Sequence, residues 1–293
     1  MADIAKFSKF LSQLLSEFLR GIALAPVRLG LFFVVLLLLW LPVAAPLYLW
    51  LGETVGVFLV ILLYSEFLWL VGWWGRNVSG YSQPYRTYGL LVSQNERPKA
   101  WRELAIGLFL GCMSNIILFG LQWGLGWRAL RGDAWLNAVL IAAATGLPTG
   151  LGVGLAEEIL FRGFLLTELE TSYSPLIALW SSSLVYSVLH FIKPLAVILE
   201  IWPQFLGLVL LGIAFVLGRR QCQGRLSLAV GLHGGLVWSY YVINTTNLFV
   251  TTKVVPDWVT GLGNNPLAGL LGVMCLFGLV LTVRQGWGWS RWR

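Results

Sequence analysis

Apolar residues fill long uninterrupted stretches of this chain, and polar residues fall between those stretches rather than alternating within them. A bilayer core of ~30 Å takes about 20 apolar residues to cross as a helix. Stretches near that length, free or nearly free of charge, lie at 29–51, 54–75, 104–127, 134–156, 174–192, 194–217, 226–252 and 258–283. They predict an all-α, polytopic membrane helix bundle with about eight transmembrane helices. The stretch 194–217 is the weakest, because Glu200 and Pro203 interrupt it and predict a broken or tilted helix. Ahead of the first span, Ile4, Phe7, Phe10, Leu11, Leu14, Leu15, Phe18 and Leu19 recur at helical spacing, with Lys6, Lys9, Ser12, Ser16 and Arg20 largely opposite. That pattern predicts an amphipathic helix resting in the membrane interface within residues 1–28. Residues 1–19 lack an early apolar run and a small-residue cleavage site, so no signal peptide is expected there. Residues 29–293 read as one membrane domain without internal repeats. Its long polar connection at 76–103 has room for a short surface helix.

Composition strengthens this picture. The chain of 293 residues is 58% hydrophobic and 11% charged, and its mean hydropathy is +0.78, so the lipid bilayer is its expected environment. The net charge of +7 is dispersed between spans, which argues against nucleic acid as a partner. With eight spans, Arg128, Arg131, Lys193 and Lys253 fall on one side, and the remaining sixteen of 20 Lys and Arg fall on the other. The positive-inside rule then places both termini on the cytoplasmic side, or the stromal side in a photosynthetic membrane. Cys112, Cys222 and Cys275 form no CxxC or Cys/His cluster, which disfavours a disulfide framework or zinc ribbon. Trp73, Trp74, Trp101, Trp127, Trp287, Trp289 and Trp292 cluster near predicted helix ends and are expected as interfacial anchors.

Against this background one segment stands out: Ala156-Glu157-Glu158-Ile159-Leu160-Phe161-Arg162-Gly163. Ionised groups at membrane depth are costly and usually face partners inside the bundle or a wet cavity. Helical spacing puts Arg162 one turn beyond Glu158, where an i, i+4 ion pair forms naturally. Glu157 points about 100° away around the helix and is left for another task. The bland alternative is a solvated helix end. Gly146, Gly150 and Gly154 form a GxxxGxxxG stripe leading to the pair and permit close approach of a neighbouring helix. The two histidines, His190 and His233, both fall in predicted spans. Imidazole shares protons near neutral pH, and a carboxylate can act as general base. Glu157, His190 and His233 also make up a zinc ligand set in type, although HExxH spacing is absent. Glu66 and Asn115 are expected as interhelical hydrogen-bond partners. Glu200 and Gln204, one turn apart, either line a cavity or face the aqueous end of a tilted helix. Asn244 to Asn247 read as the end of a span.

The order and spacing of these residues resemble the CPBP intramembrane proteases, the family of CAAX-processing endopeptidases and Abi-like bacteriocin-processing or self-immunity proteins. The resemblance covers about residues 134–245. The family's EExxxR is complete as Glu157, Glu158 and Arg162. Its aromatic-xxx-His reads Tyr186-xxx-His190, and its later His-xxx-Asn reads His233-xxx-Val237. The resemblance implies hydrolysis of a membrane-associated peptide, with Glu157 and His190 activating water and His233 donating to the oxyanion. Glu158, Arg162 and Tyr186 would support the site. Val237 stands where the family frequently has Asn and cannot donate a hydrogen bond; Ser239, Asn244 or a backbone N–H are the candidate substitutes, though the sequence does not show that any of them takes the role. No cofactor is certain on this reading, and a divalent metal such as zinc on Glu157, His190 and His233 stays open. The alternative is a catalytically weakened membrane scaffold or assembly factor, whose partners would be subunits of a membrane complex. A proton-relaying transporter is a third option, made less attractive by the lack of an inverted repeat.

Overall fold

The computed structural model describes Leu19, Gly21 and residues 24–131 and 136–286. The expected interfacial helix at 1–28 lies almost wholly outside the described residues, as do Trp287, Trp289 and Trp292. The described chain divides into two compact units, one formed by residues up to Tyr88 with Thr167–Ser174, the other by Gly89–Leu166 with residues from Pro175 onward.

In the first unit, helix α1 (Ala25–Leu51) begins on a proline in its first turn and stops at Gly52, whose φ of 66° a residue with Cβ would adopt poorly. A 3₁₀ turn leads into helix α2 (Gly56–Asn77). Phe32 packs edge-on against Phe67 and Trp74, at centroid distances of 5.9 and 5.3 Å. Trp74 is only 1% exposed, so it is a core residue here and not the interfacial anchor its position suggests. Glu66 Oε2 is buried without a hydrogen-bond partner, so the interhelical bond expected of it is not made by that atom. Glu168, on the returning segment, accepts hydrogen bonds from Ser79 Oγ (2.8 Å) and Tyr88 Oη (2.9 Å). Burial, aided by the Glu168 charge, pushes the Tyr88 phenol far above its usual range, which keeps it a donor.

The second unit carries α3 (Arg97–Gly124), β1 (Arg128–Leu130), α4 (Leu136–Glu158), α5 (Leu166–Glu170, of which only Leu166 belongs to this unit), α6 (Pro175–Leu189), α7 (Leu195–Ile201), α8 (Phe205–Gln221), α9 (Ser227–Thr245), β2 (Phe249–Thr251) and α10 (Leu270–Gln285). The two short strands pair antiparallel with Ala129 opposite Val250. The interrupted span is confirmed: a 3₁₀ turn at Trp202–Gln204, containing Pro203, separates α7 from α8. Beyond Glu158 the chain does not leave the helix. It widens into a π-helical stretch, Ile159–Leu165, before α5.

Glycine explains how α9 reaches the centre of this unit. A Cβ at Gly150 would meet Gly234 O at 2.7 Å, and one at Gly154 would meet Val230 O at 2.9 Å. The stripe seen in the sequence is therefore the seam between α4 and α9. On the other flank, Gly107 and Gly111 of α3 abut the Leu228 and Leu232 carbonyls, while Gly231 and Gly235 abut those of Leu104 and Leu108. Small residues on both flanks bring three backbones into contact and carry His233 inward.

Among the described residues the fold is all-helical apart from the two short strands, and it is that of a membrane protein. Among the described residues, four helical stretches are long and apolar enough to cross a bilayer: Ala25–Asn77 (which holds α1 and α2), Gln94–Gly124, Leu136–Glu170 and Leu195–Gln221. Pro175–Leu189 and Leu270–Gln285 are apolar but shorter. All eight predicted segments contain helix, yet the count of eight spans does not follow. A helix of 15 residues such as α6 rises only about 22 Å, less than the ~30 Å core.

Candidate functional site

Glu158, at the end of α4, is fully buried. Its Oε1 accepts from Arg162 Nη1 at 3.0 Å and from His233 Nδ1 at 2.9 Å. The i, i+4 pair expected from the sequence is thus present, and a histidine from α9 completes it. A solvated helix end does not describe this residue. Arg162, also fully buried, donates from Nη2 to Gly212 O (3.3 Å). Its guanidinium carbon lies 4.4 Å from the Tyr186 ring centroid and 4.8 Å from that of Phe215. Aromatic faces attract a cation when water is excluded, so the rings take over part of its solvation. Phe215 also stacks on the His233 ring at 4.7 Å and 6°. The imidazole is held by a carboxylate at one nitrogen and by a parallel ring on its face.

Glu157 is in a different state. It keeps 27% of its side chain exposed, and its Oε2 stands 3.9 Å from His190 Nε2 and 3.8 Å from His233 Nε2. That oxygen has no hydrogen-bond partner. His190 lies just beyond α6, and its Nδ1 is 2.8 Å from the Tyr186 carbonyl. A carbonyl only accepts, so Nδ1 carries the hydrogen, and in the neutral ring Nε2 is an acceptor. His233 Nδ1 likewise donates to Glu158 Oε1, so its Nε2 is a donor only when the ring carries both protons. Both Nε2 atoms therefore face the same carboxylate oxygen across gaps too long for direct hydrogen bonds.

A cavity of about 300 Å³ opens on these groups. Glu157, Tyr186, His190, His233 and Val237 line it, with Asn115, Lys193, Gln204 and Asn265 as further polar residues among apolar walls. Gln204 is therefore a lining residue as one of its alternatives held, whereas Glu200 is exposed and does not line the cavity. Asn115 bridges α3 to α9, donating to Leu236 O and Ser239 Oγ at 2.9 Å each. The Ser239 hydroxyl donates to Gly235 O at 2.7 Å, and neither Ser239 nor Asn244 lines the cavity. They are not substitutes for the missing Asn at position 237.

Among the described residues, no three His, Cys, Asp or Glu converge as a metal-binding group. Ligand atoms of a tetrahedral zinc at 2.0–2.1 Å lie about 3.3 Å apart. The 3.8 and 3.9 Å separations here are wider, so the donor set suits zinc in type but not in its present spacing.

Sequence reasoning missed several contributors. Phe215 and the Gly212 carbonyl carry no chemical signature in an apolar helix. Asn265 lies outside any motif. Glu103 and Arg225, buried at the start of α3 and just before α9, form a second ionic cluster; a charge at the edge of an apolar run was the one available signal.

The model of the family described as Type II CAAX prenyl endopeptidase Rce1-like matches residues 138–254. No curated protein and no solved structure matches the chain. The matched segment holds Glu157, Glu158, Arg162, Tyr186, His190, His233 and Val237, and over this part the chain is similar to the CAAX-type membrane proteases.

Proposed function

We propose that the chain is an intramembrane endopeptidase of the CPBP type, hydrolysing a membrane-associated peptide by Glu/His activation of water. The observation that carries this reading is the divided labour of the nitrogens. Each histidine is fixed through Nδ1, and both Nε2 atoms face Glu157 Oε2 at 3.8–3.9 Å in one cavity. A water between Glu157 and His190 donates one hydrogen bond to each acceptor and turns its lone pair toward a substrate carbonyl. Glu157 takes the proton as the C–O bond forms and returns it to the leaving amine as the C–N bond breaks. His233, doubly protonated, donates from Nε2 to the oxyanion, with Glu158 and Arg162 holding the ring in place. No step needs a metal.

One observation favours a second reading, a catalytically weakened scaffold or assembly factor. Val237 lines the cavity and stands where the resemblance calls for a second oxyanion donor, and losing one such donor costs about 10²–10³ in rate. Membrane-peptide cleavage in cells carrying the wild-type chain, Glu157→Ala or His190→Ala at matched levels separates the two. Substrates that accumulate uncleaved in both variants support the protease. Unchanged cleavage, alongside a membrane complex that still depends on the protein, supports the scaffold.

A further inference from the structure

The geometry points to Gln204 and Asn115 as a main-chain clamp for the substrate, an assignment that rests on the protease reading. Two chains of hydrogen bonds fix which end of each amide meets the cavity. The first starts at a backbone donor: Leu267 N–H donates to Asn265 Oδ1 at 3.0 Å. The remaining terminus of Asn265 is therefore Nδ2, and it donates to Gln204 Oε1 at 2.6 Å. Gln204 is left with Nε2, two N–H donors without a partner among the described residues, although only 9% of the residue is exposed. The second chain ends at a backbone acceptor. Leu236 O can only accept, so the Asn115 terminus facing α9 is Nδ2, and its second hydrogen goes to Ser239 Oγ. Oδ1 of Asn115, a residue 7% exposed, is the atom left over. Both residues line the cavity that holds Glu157, His190 and His233.

Both amides are nearly buried yet keep hydrogen-bonding capacity at the cavity that no contact among the described residues uses. One end of this pair donates and the other accepts, which is what an extended peptide requires: a carbonyl for Gln204 Nε2 and an N–H for Asn115 Oδ1. The intervening walls include Leu118, Leu208, Leu211, Leu236 and Leu276, so the side chains received are apolar. The substrate is then an apolar segment with unpaired main-chain groups, a stretch unwound from helix, because helical carbonyls and N–H groups already satisfy one another.

The test uses the full chain in liposomes with a digest of membrane peptides, followed by kinetics on the peptide turned over fastest. Q204E keeps the acceptor for Asn265 but removes both donors to the cavity; Q204M removes both functions. The clamp predicts a KM rise of about tenfold in both, with kcat within twofold and an unchanged melting temperature for Q204E. An ester replacing the amide whose N–H meets Asn115 raises KM on the wild type and adds no further penalty on N115L. A Q204E variant with wild-type KM, or one losing kcat alone, overturns the clamp. E157Q separates this from failure of the parent reading. Products that depend on Glu157 but not on Gln204 sink only the clamp, whereas no Glu157-dependent product sinks the protease reading and the clamp with it.

Discussion

The second unit contains two buried ionic clusters, and they differ in completeness. At the start of α3, Glu103 accepts from Arg225 at 2.6 and 3.1 Å and from Ser227 Oγ at 2.5 Å, while Arg225 also reaches Glu96 at 3.0 Å. These bonds, Glu103's above all, raise the Arg225 guanidinium further above its usual range. At the end of α4, by contrast, Glu157 Oε2, Glu158 Oε2 and Arg162 Nε are buried without hydrogen-bond partners. A saturated cluster joins helices and has no capacity left for a ligand. An unsaturated one keeps free-energy cost in place, and such a cost is accepted where chemistry needs reachable atoms. The two adjacent glutamates differ in access within one helix: Glu158 is bonded twice through Oε1 and does not line the cavity, whereas Glu157 is open to it.

The largest effect that sharpens the comparison is on activity. Glu157→Gln removes the general base and lowers kcat by about 10²–10⁴, with a thermal midpoint close to wild type because no hydrogen bond is lost at Oε2. An equal loss of stability would put Glu157 in the structural class. Arg225→Met leaves the fully buried Glu103 unpaired, and breaking such a pair costs about 3–5 kcal/mol. Denaturant melts of purified protein check this, and activity per folded molecule is expected to stay within twofold. Val237→Asn restores an amide beside the cavity and raises kcat by about tenfold or more if it meets the oxyanion; single-turnover rates give the answer. The smallest effect is expected from a zinc chelator, which leaves turnover unchanged because none of the proposed steps runs through a metal.

Much of this site was legible because membrane sequences make charge rare. Glu157, Glu158 and Arg162 stand out against apolar neighbours, and helical spacing alone gives the Glu158–Arg162 pair. The glycine stripe of α4 was equally readable, since a bare helix face implies a close neighbour, although it does not say that α9 is the neighbour. What could not be read depends on tertiary partners. Trp74 looks like an interfacial anchor by position, yet Phe32 covers it. The π-helical widening after Glu158 leaves no compositional mark. Phe215 differs from other apolar residues only because His233 lies parallel to it. The orientation of Gln204 follows from a backbone N–H more than sixty positions away, which no local pattern encodes. The number of spans is left open for a related reason. Apolarity marks burial in protein as well as in lipid, so an apolar stretch does not fix the length of the helix within it.

The central claim is that the open carboxylate performs hydrolysis while its closed neighbour holds the site together. The most direct measurement incubates the purified full chain in liposomes with membrane peptides in ¹⁸O-labelled water and reads the products by mass spectrometry, for the wild type and E157Q. The account predicts new C-termini carrying one ¹⁸O with the wild type and none above background with E157Q. Equal labelling from both, or no products from a folded wild type, would contradict it.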